Sequence, residues 1–357
     1  MTFSRISWFF LFLFVVGGVG VFAFEVDKPA RSVNISGTEY LVHPGYIIQD
    51  YDSVTNDIYA SKGATVYIST DLGKTFNSLY TVPYTFELAA FASRFAIVRK
   101  FTGFHESIEL KIISQNKHLI IYGTSIFTWS QSLGLKKSVE ELRRIGGNKL
   151  TLSQSVTQLP DGTLFLGEYG RNTKNNKINI LKSTDEGLTW EVATILEDGL
   201  IRHIHTVAYN PFDRKVWVGT GDTSEQVFLG YINKGALHKV LAGKQDYRAV
   251  SFQFIGNKVY WGSDSPDIKN NHIYSFDFSE DLLTNHGVVN GPVYYSYLNK
   301  NEEMYFATAH ETIGIGMHNE NVSIWHKAGT GLEEVFTVPR ANNSKRHSLI
   351  RFPKSNE

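Results

Sequence analysis

The sequence predicts an all-β protein, a β-propeller of four-stranded antiparallel blades, six in number, with seven as the alternative count. Two repeats predict it. An eight-residue phrase occurs twice, as Ser69-Thr70-Asp71-Leu72-Gly73-Lys74-Thr75-Phe76 and Ser183-Thr184-Asp185-Glu186-Gly187-Leu188-Thr189-Trp190, each after a β-rich run. An Asp/Gly turn leading into an aromatic is hairpin chemistry. The second repeat is three apolar residues followed by a small one: Ile58-Tyr59-Ala60-Ser61, Ile120-Ile121-Tyr122-Gly123, Leu164-Phe165-Leu166-Gly167, Val216-Trp217-Val218-Gly219, Val259-Tyr260-Trp261-Gly262 and Met304-Tyr305-Phe306-Ala307. The small residues are 62, 44, 52, 43 and 45 positions apart, which is the length of a four-stranded blade.

Taken in order, the chain begins with Arg5 and then residues 6–24, a charge-free run of 19 ended by Glu25. Residues 1–24 read as a signal peptide or as a membrane anchor, since Val21 and Ala23 suit cleavage and the run is long enough to span. Either way the rest is expected outside the cytoplasm, secreted or tethered through its N-terminus. Residues 33–352 read as one propeller domain, and the wide first spacing implies an insertion near 84–105. In the third unit the strands are expected at 152–159, 163–169, 178–182 and 190–196, with the repeated phrase as the last turn. In the fourth they are expected at 203–209, 215–220 and 226–231. Degenerate versions of the phrase stand at Ser130-Gln131-Ser132-Leu133-Gly134 and His326-Lys327-Ala328-Gly329. Residues 33–42 and 349–352 are left over, and either could complete a blade and close the ring.

Composition narrows the function classes. Thirty-five basic residues balance 35 acidic ones, so the chain lacks the basic footprint of a nucleic-acid binder and no nucleic-acid partner is expected. With no cysteine, disulfides, thiol chemistry and Cys-ligated metal are excluded. The 24 Phe, 18 Tyr and 30 Gly suit short strands joined by tight turns.

In a four-stranded meander the turns after the first and third strands share one face of the ring. The repeated phrases therefore mark one face, and the starts of first strands and ends of second strands mark the other. At that other face the chain places Glu168, Tyr169, Arg202, His203, His205, Asp222, Gln245, Arg248, Asp264, Tyr294, His310 and Glu311. Loops on a rigid scaffold carry function, and convergent ionisable groups at a channel mouth fit a ligand site. His203, His205, Asp222, Asp264 and Glu311 are the candidate catalytic groups, because glycosidic hydrolysis commonly needs two carboxyls across the scissile bond. Arg202 and Arg248 suit a substrate carboxylate, with salt bridges to Asp222 or Asp264 as the structural reading. Gln245, Glu168, Tyr169, Tyr294 and His310 complete the expected substrate-binding set. No cofactor is expected; a divalent metal at His203 and His205, shared with Gln245 or His310, is the lesser alternative, since alternate residues of a strand share a face. Asp71 and Asp185 are expected to tie down their own turns, and Trp129, Trp217 and Trp261 to be core aromatics.

The Ser-Thr-Asp-x-Gly-x-Thr-aromatic pattern resembles the Asp box, or BNR repeat, of sialidase-like propellers. The resemblance covers about residues 40–340 and implies exo-sialidases, other glycosidases of secreted glycans, or non-catalytic assembly factors. The chain has no Arg-Ile-Pro phrase after its first segment, so the sialidase reaction is not carried over; Arg202, Arg248 and Tyr294 or Tyr295 match that family only as residue types. A mouth of His, Arg and Tyr is also similar to that of propeller lyases acting on uronates, in which an Arg or metal neutralises the carboxylate and a Tyr or His removes the adjacent proton. The leading expectation is an extracytoplasmic glycan-active enzyme, hydrolase or lyase. The alternative is a secreted or membrane-tethered propeller that holds a glycan or protein without chemistry.

Overall fold

The computed structural model describes residues 31–35, 38–42, 46–83, 108–114, 116–122, 125–139, 155–170, 172–310, 320–339, 348–352 and 354–355. The N-terminal segment, the insertion near 84–105 and Glu311 lie outside the described residues. By contacts the chain divides into two units, residues 1–46 with 83–105, and residues 47–82 with 106–357. In the first, Arg31–Ile35 and Thr38–Val42 form a two-stranded antiparallel hairpin of their own. These strands therefore do not complete a blade.

The second unit is a six-bladed β-propeller. Its six sheets, among the described residues, are antiparallel meanders of four consecutive strands, and the six begin with Ile47–Asp52, Glu109–Ser114, Val156–Gln158, Ile204–Asn210, Gln253–Ile255 and Val293–Leu298. We number them blades one to six in that order. The expected strands of the third and fourth units are present with trimmed ends. The inner strand of blade three is only Val156–Gln158, and the third strand of blade four starts at Phe228, because Ser224–Gln226 forms a 3-10 turn held by Thr220 Oγ1 on Gln226 O at 2.6 Å.

The column of small residues is where one blade meets the next. A methyl group on Gly167 would lie 2.6 Å from Ile204 Cγ2, on Gly219 2.7 Å from Thr206 Cγ2, and on Gly262 2.4 Å from Val293 Cβ. In each case the obstacle belongs to the following inner strand or, at Gly219, to its own blade's inner strand with Phe252 beyond. Side chains buried between the blades, such as Trp217 and Trp261 at 1% and 0% exposure, supply the apolar contacts that this close approach permits. Gly262→Ala is expected to cost about 1–3 kcal/mol by overpacking, read as a lower thermal midpoint.

The two repeated phrases form superimposable turns. Asp71 Oδ1 accepts from Ser69 Oγ at 2.8 Å and Thr75 N at 2.9 Å, and Oδ2 from Thr75 Oγ1 at 2.7 Å. Asp185 repeats the set with Ser183 Oγ, Thr189 N and Thr189 Oγ1 at 2.8, 2.8 and 2.6 Å. The Gly at the fifth position has φ of 82° and 84°, which favours glycine. The Thr75 hydroxyl and N–H, with Ser69, hold the Asp71 carboxyl down to about 2, so it stays ionised as a structural acceptor.

Residues 348–355 close the ring from inside. Ser348–Leu349 pairs antiparallel with Ala309 and His310 of blade six, and Lys354–Ser355 pairs parallel with Asp50 and Tyr51 on the free edge of the inner strand of blade one. Between them Arg351 donates from Nη2 to both carboxylate oxygens of Glu109 of blade two, at 2.7 and 2.8 Å, and through Nε to Tyr295 Oη of blade six at 2.9 Å. The segment 349–352 was a candidate for completing a blade; blades one and six already have four strands each, and the flanking pairs Ser348–Leu349 and Lys354–Ser355 add a further strand to each.

Candidate functional site

The polar groups expected at the mouth converge where blades three, four and five meet. Arg202 and His203 immediately precede the inner strand of blade four, and His205 lies in it. Asp222 follows that blade's second strand, Lys215–Thr220; Gln245 and Arg248 stand in the crossing to blade five; Asp264 follows Lys258–Gly262; Glu168 and Tyr169 follow Leu164–Gly167 of blade three.

His203 and His205 share a face, and their Nε2 atoms are 3.1 Å apart. His203 donates from Nδ1 to Gly170 O at 2.8 Å, which fixes its tautomer and leaves the Nε2 lone pair pointing into the cluster. The Asp222 carboxylate lies 3.5 Å from His203 Nε2 and 3.9 Å from His205 Nε2. Both imidazoles are buried, at 4% and 3% exposure, and burial lowers both pKa values; Asp222 partly opposes this at His203, while His203, Arg248 and Arg202 add to it at His205. The pair is therefore uncharged at neutral pH.

Several features hold Asp222 in place. Its φ of 146° is one that a side chain rarely adopts, at a cost of about 1–3 kcal/mol. Its carbonyl accepts from Gln245 Nε2 at 3.0 Å, and Gln245 Oε1 in turn accepts from Ser265 Oγ at 2.7 Å. Gly221 is required beside it, since a methyl there would meet Arg248 Cγ at 2.8 Å and His205 Cε1 at 3.0 Å. Arg202 NH1 reaches Asp222 Oδ2 at 3.3 Å; Arg248 reaches Asp222 Oδ1 at 3.7 Å and Asp264 Oδ2 at 3.5 Å. These ion pairs are looser than a charge-assisted hydrogen bond of about 2.7–2.9 Å.

Tyr169 closes the blade-three side, its ring centroid 4.1 Å from that of His203. Burial, helped by Asp222 and Asp264, pushes its phenol up to about 12, so it holds its proton at neutral pH. Glu168 faces the other way: it is 2% exposed, and its Oε2 accepts Asn179 N–H at 2.7 Å. Burial raises its pKa from 4.5 to about 7. The folded state thus binds a proton more tightly than the unfolded chain, and this contribution to stability is full below pH 4.5 and lost as pH rises through 7. Relative to Glu168→Gln, the protein is expected to lose about 3 kcal/mol across that window, measured by denaturant unfolding at several pH values. The histidines slope oppositely, so the difference between the two proteins is the informative quantity.

Two other expected residues lie in blade six. His310 ends the second strand of blade six, where its backbone pairs with Ser348, and Tyr294 lies in the inner strand of that blade with its ring 6.5 Å from Tyr295. Asp222, from the same blade, groups with His203 and His205. Gly170, Gly221 and Ser265, which shape the cluster, were not singled out from the sequence; the Gly221-Asp222 pair just after a strand was the available signal.

No family model matches the chain, and no curated protein matches it in sequence. Its fold is similar to those of solved structures. A chain of the mitotic checkpoint complex is 13% identical, with 91% of this chain and 90% of that one covered and a TM-score of 0.54. The GH74 enzyme of Niastella koreensis is 13% identical over 81% of this chain, at a TM-score of 0.54, and the extracellular domain of a hybrid two component system from B. thetaiotaomicron is 10% identical over 88%, at 0.53. This chain spans 45% and 35% of the lengths of the latter two. At these identities the likeness is one of fold, a β-propeller that hosts many functions.

Proposed function

We propose that the protein is an extracytoplasmic propeller that takes an acidic glycan by its carboxylate at the mouth of blades three to five, and acts on it by elimination. The observation that carries this reading is the pair of guanidiniums, Arg202 and Arg248, whose ion pairs to Asp222 and Asp264 run at 3.3–3.7 Å, beside a protonated Tyr169. A substrate carboxylate competes well against internal pairs of 3.3–3.7 Å, because it can accept paired N–H donors at shorter range. Asp264, released from Arg248 by that exchange, takes the proton beside the substrate carboxylate, and Tyr169 supplies a proton to the departing glycosidic oxygen, so that the C–H and C–O bonds break as the C=C bond forms. Hydrolysis is less well supported: among the described residues, Asp222 and Asp264 are both tied to one guanidinium and Glu168 accepts a backbone amide.

The apolar run at residues 6–24 supports a location outside the cytoplasm, and the Asp-box phrases and the GH74 neighbour are in keeping with a glycan-active propeller. The second reading, a propeller that binds a glycan or protein without chemistry, is favoured by the burial of both imidazoles. Purified protein offered acidic and neutral glycans separates them: unsaturated uronates, seen by ultraviolet absorbance, support elimination. New reducing ends without that absorbance indicate hydrolysis, and binding without either indicates a lectin-like module.

A further inference from the structure

We infer that His203, His205 and Asp222 form a binding site for a divalent transition ion of the zinc class. The three ligand atoms all lie within 4.8 Å of one another. Their nearest separations are 3.1 Å between the two Nε2 atoms, 3.5 Å from His203 Nε2 to Asp222 Oδ2, and 3.9 Å from His205 Nε2 to Asp222 Oδ1. A tetrahedral ion with bonds of about 2.0–2.1 Å sets its ligands about 3.3–3.4 Å apart, close to the Nε2–Nε2 and His203 Nε2–Oδ2 separations; the two carboxylate distances are to different oxygens, so binding draws one of them toward His205 Nε2. Two imidazoles and one carboxylate suit zinc and its neighbours better than magnesium or calcium, which prefer oxygen.

The surroundings are built for the same purpose. The outer sides of Asp222 meet Arg202 and Arg248, but the side turned to the two Nε2 atoms faces other electron-rich atoms, an arrangement that a cation between them would relieve. A single proton, held by His205 Nε2 and offered to His203 Nε2, satisfies the imidazoles but gives the carboxylate nothing. His203 Nδ1 donates to Gly170 O, the outer bond that orients metal-ligating histidines. The unusual φ of Asp222, the bonds on its carbonyl and the missing side chain at Gly221 all serve to bring one carboxylate against two buried imidazoles. Three protein ligands leave a fourth position of a tetrahedral ion for water or substrate, and Asp222 and Arg202 are the partly exposed members of the cluster.

Charge gives the ion a role. Arg202 and Arg248 are balanced by Asp222 and Asp264, so without an ion a substrate carboxylate has to displace an internal ion pair to bind. A dication leaves the cluster two charges positive. It then polarises a bound carboxylate as a Lewis acid, beside the two guanidiniums. Metal binding itself does not depend on the glycan reading, but this role rests on it.

The test is a calorimetric titration of chelator-treated protein with zinc, repeated with cobalt to record its visible spectrum. The expected result is one equivalent bound, a raised thermal midpoint, a tetrahedral cobalt spectrum, and at least a 100-fold weaker affinity in both Asp222→Asn and His205→Gln. Asp222→Asn is partly exposed and is checked for folding by its unfolding curve. Absence of stoichiometric binding, or affinity unchanged in both variants, overturns the inference. If the ion binds as expected but polyuronate affinity is the same with and without it, the ion's role in glycan recognition fails while the site stands.

Discussion

Arg351→Ala is expected to cost about 3–5 kcal/mol of stability and to lower the thermal midpoint by about 10 °C. The reason lies in where the guanidinium sits. Its side chain is 20% exposed and that of Glu109 is 14% exposed, and removing one member leaves the other carrying a nearly buried, uncompensated charge. Burial works against the guanidinium's charge, but Glu109 and Tyr295 outweigh it and hold its pKa above the ordinary value. The loss is also topological, because Arg351 links blades two and six while the strand beyond it pairs with blade one. A double variant, Arg351→Met with Glu109→Gln, is expected to recover much of the loss, since no lone charge remains buried. If the single variant unfolds within about 1 kcal/mol of the original protein in a denaturant titration, the segment does not clasp the ring.

Tyr169→Phe is expected to lower elimination by about 10²–10⁴-fold while leaving polyuronate affinity within a few-fold. Phenylalanine keeps the ring against His203, at the present 4.1 Å, and removes only the hydroxyl that holds a proton up to about 12. The effect therefore belongs in kcat rather than in KM. Arg248→Lys is expected to behave oppositely, weakening affinity by about 10-fold or more, because an ammonium cannot present the paired donors that one guanidinium now turns toward Asp222 and Asp264. Steady-state kinetics on a uronate polymer distinguish the two. Equal loss of affinity in both variants would make Tyr169 a contact residue rather than a proton donor.

The blades were legible because their repeat is a packing requirement. Positions 167, 219 and 262 carry glycine where an added methyl would strike an inner strand, and the apolar triplets before them fill the space between sheets. The turn phrases were legible for a similar reason, each being a closed set of local hydrogen bonds. Less of the site could be read. The meander rule placed Arg202, His203, His205, Asp222, Gln245, Arg248 and Asp264 at one end of the blades, and they do converge there. It could not say which carboxylate meets the imidazoles, because that depends on the φ of Asp222 and on Gly221. Nor could it rank His310 or Tyr294 against the others, since position along the ring is set by blade geometry. The clasp was hidden for another reason: Glu109 and Arg351 are far apart in the chain, and each alone reads as an ordinary surface charge.

The central claim is that the mouth between blades three and five reads a carboxylate. The most direct measurement compares the binding of a uronate polymer with that of the same polymer after its carboxyl groups have been reduced to alcohols, for the original protein and for Arg248→Lys. The account predicts binding to the uronate, at least 10-fold weaker binding to the reduced polymer, and a smaller difference between the two in the variant. Equal affinity for both polymers, or a preference for the uronate that Arg248→Lys leaves unchanged, would contradict it.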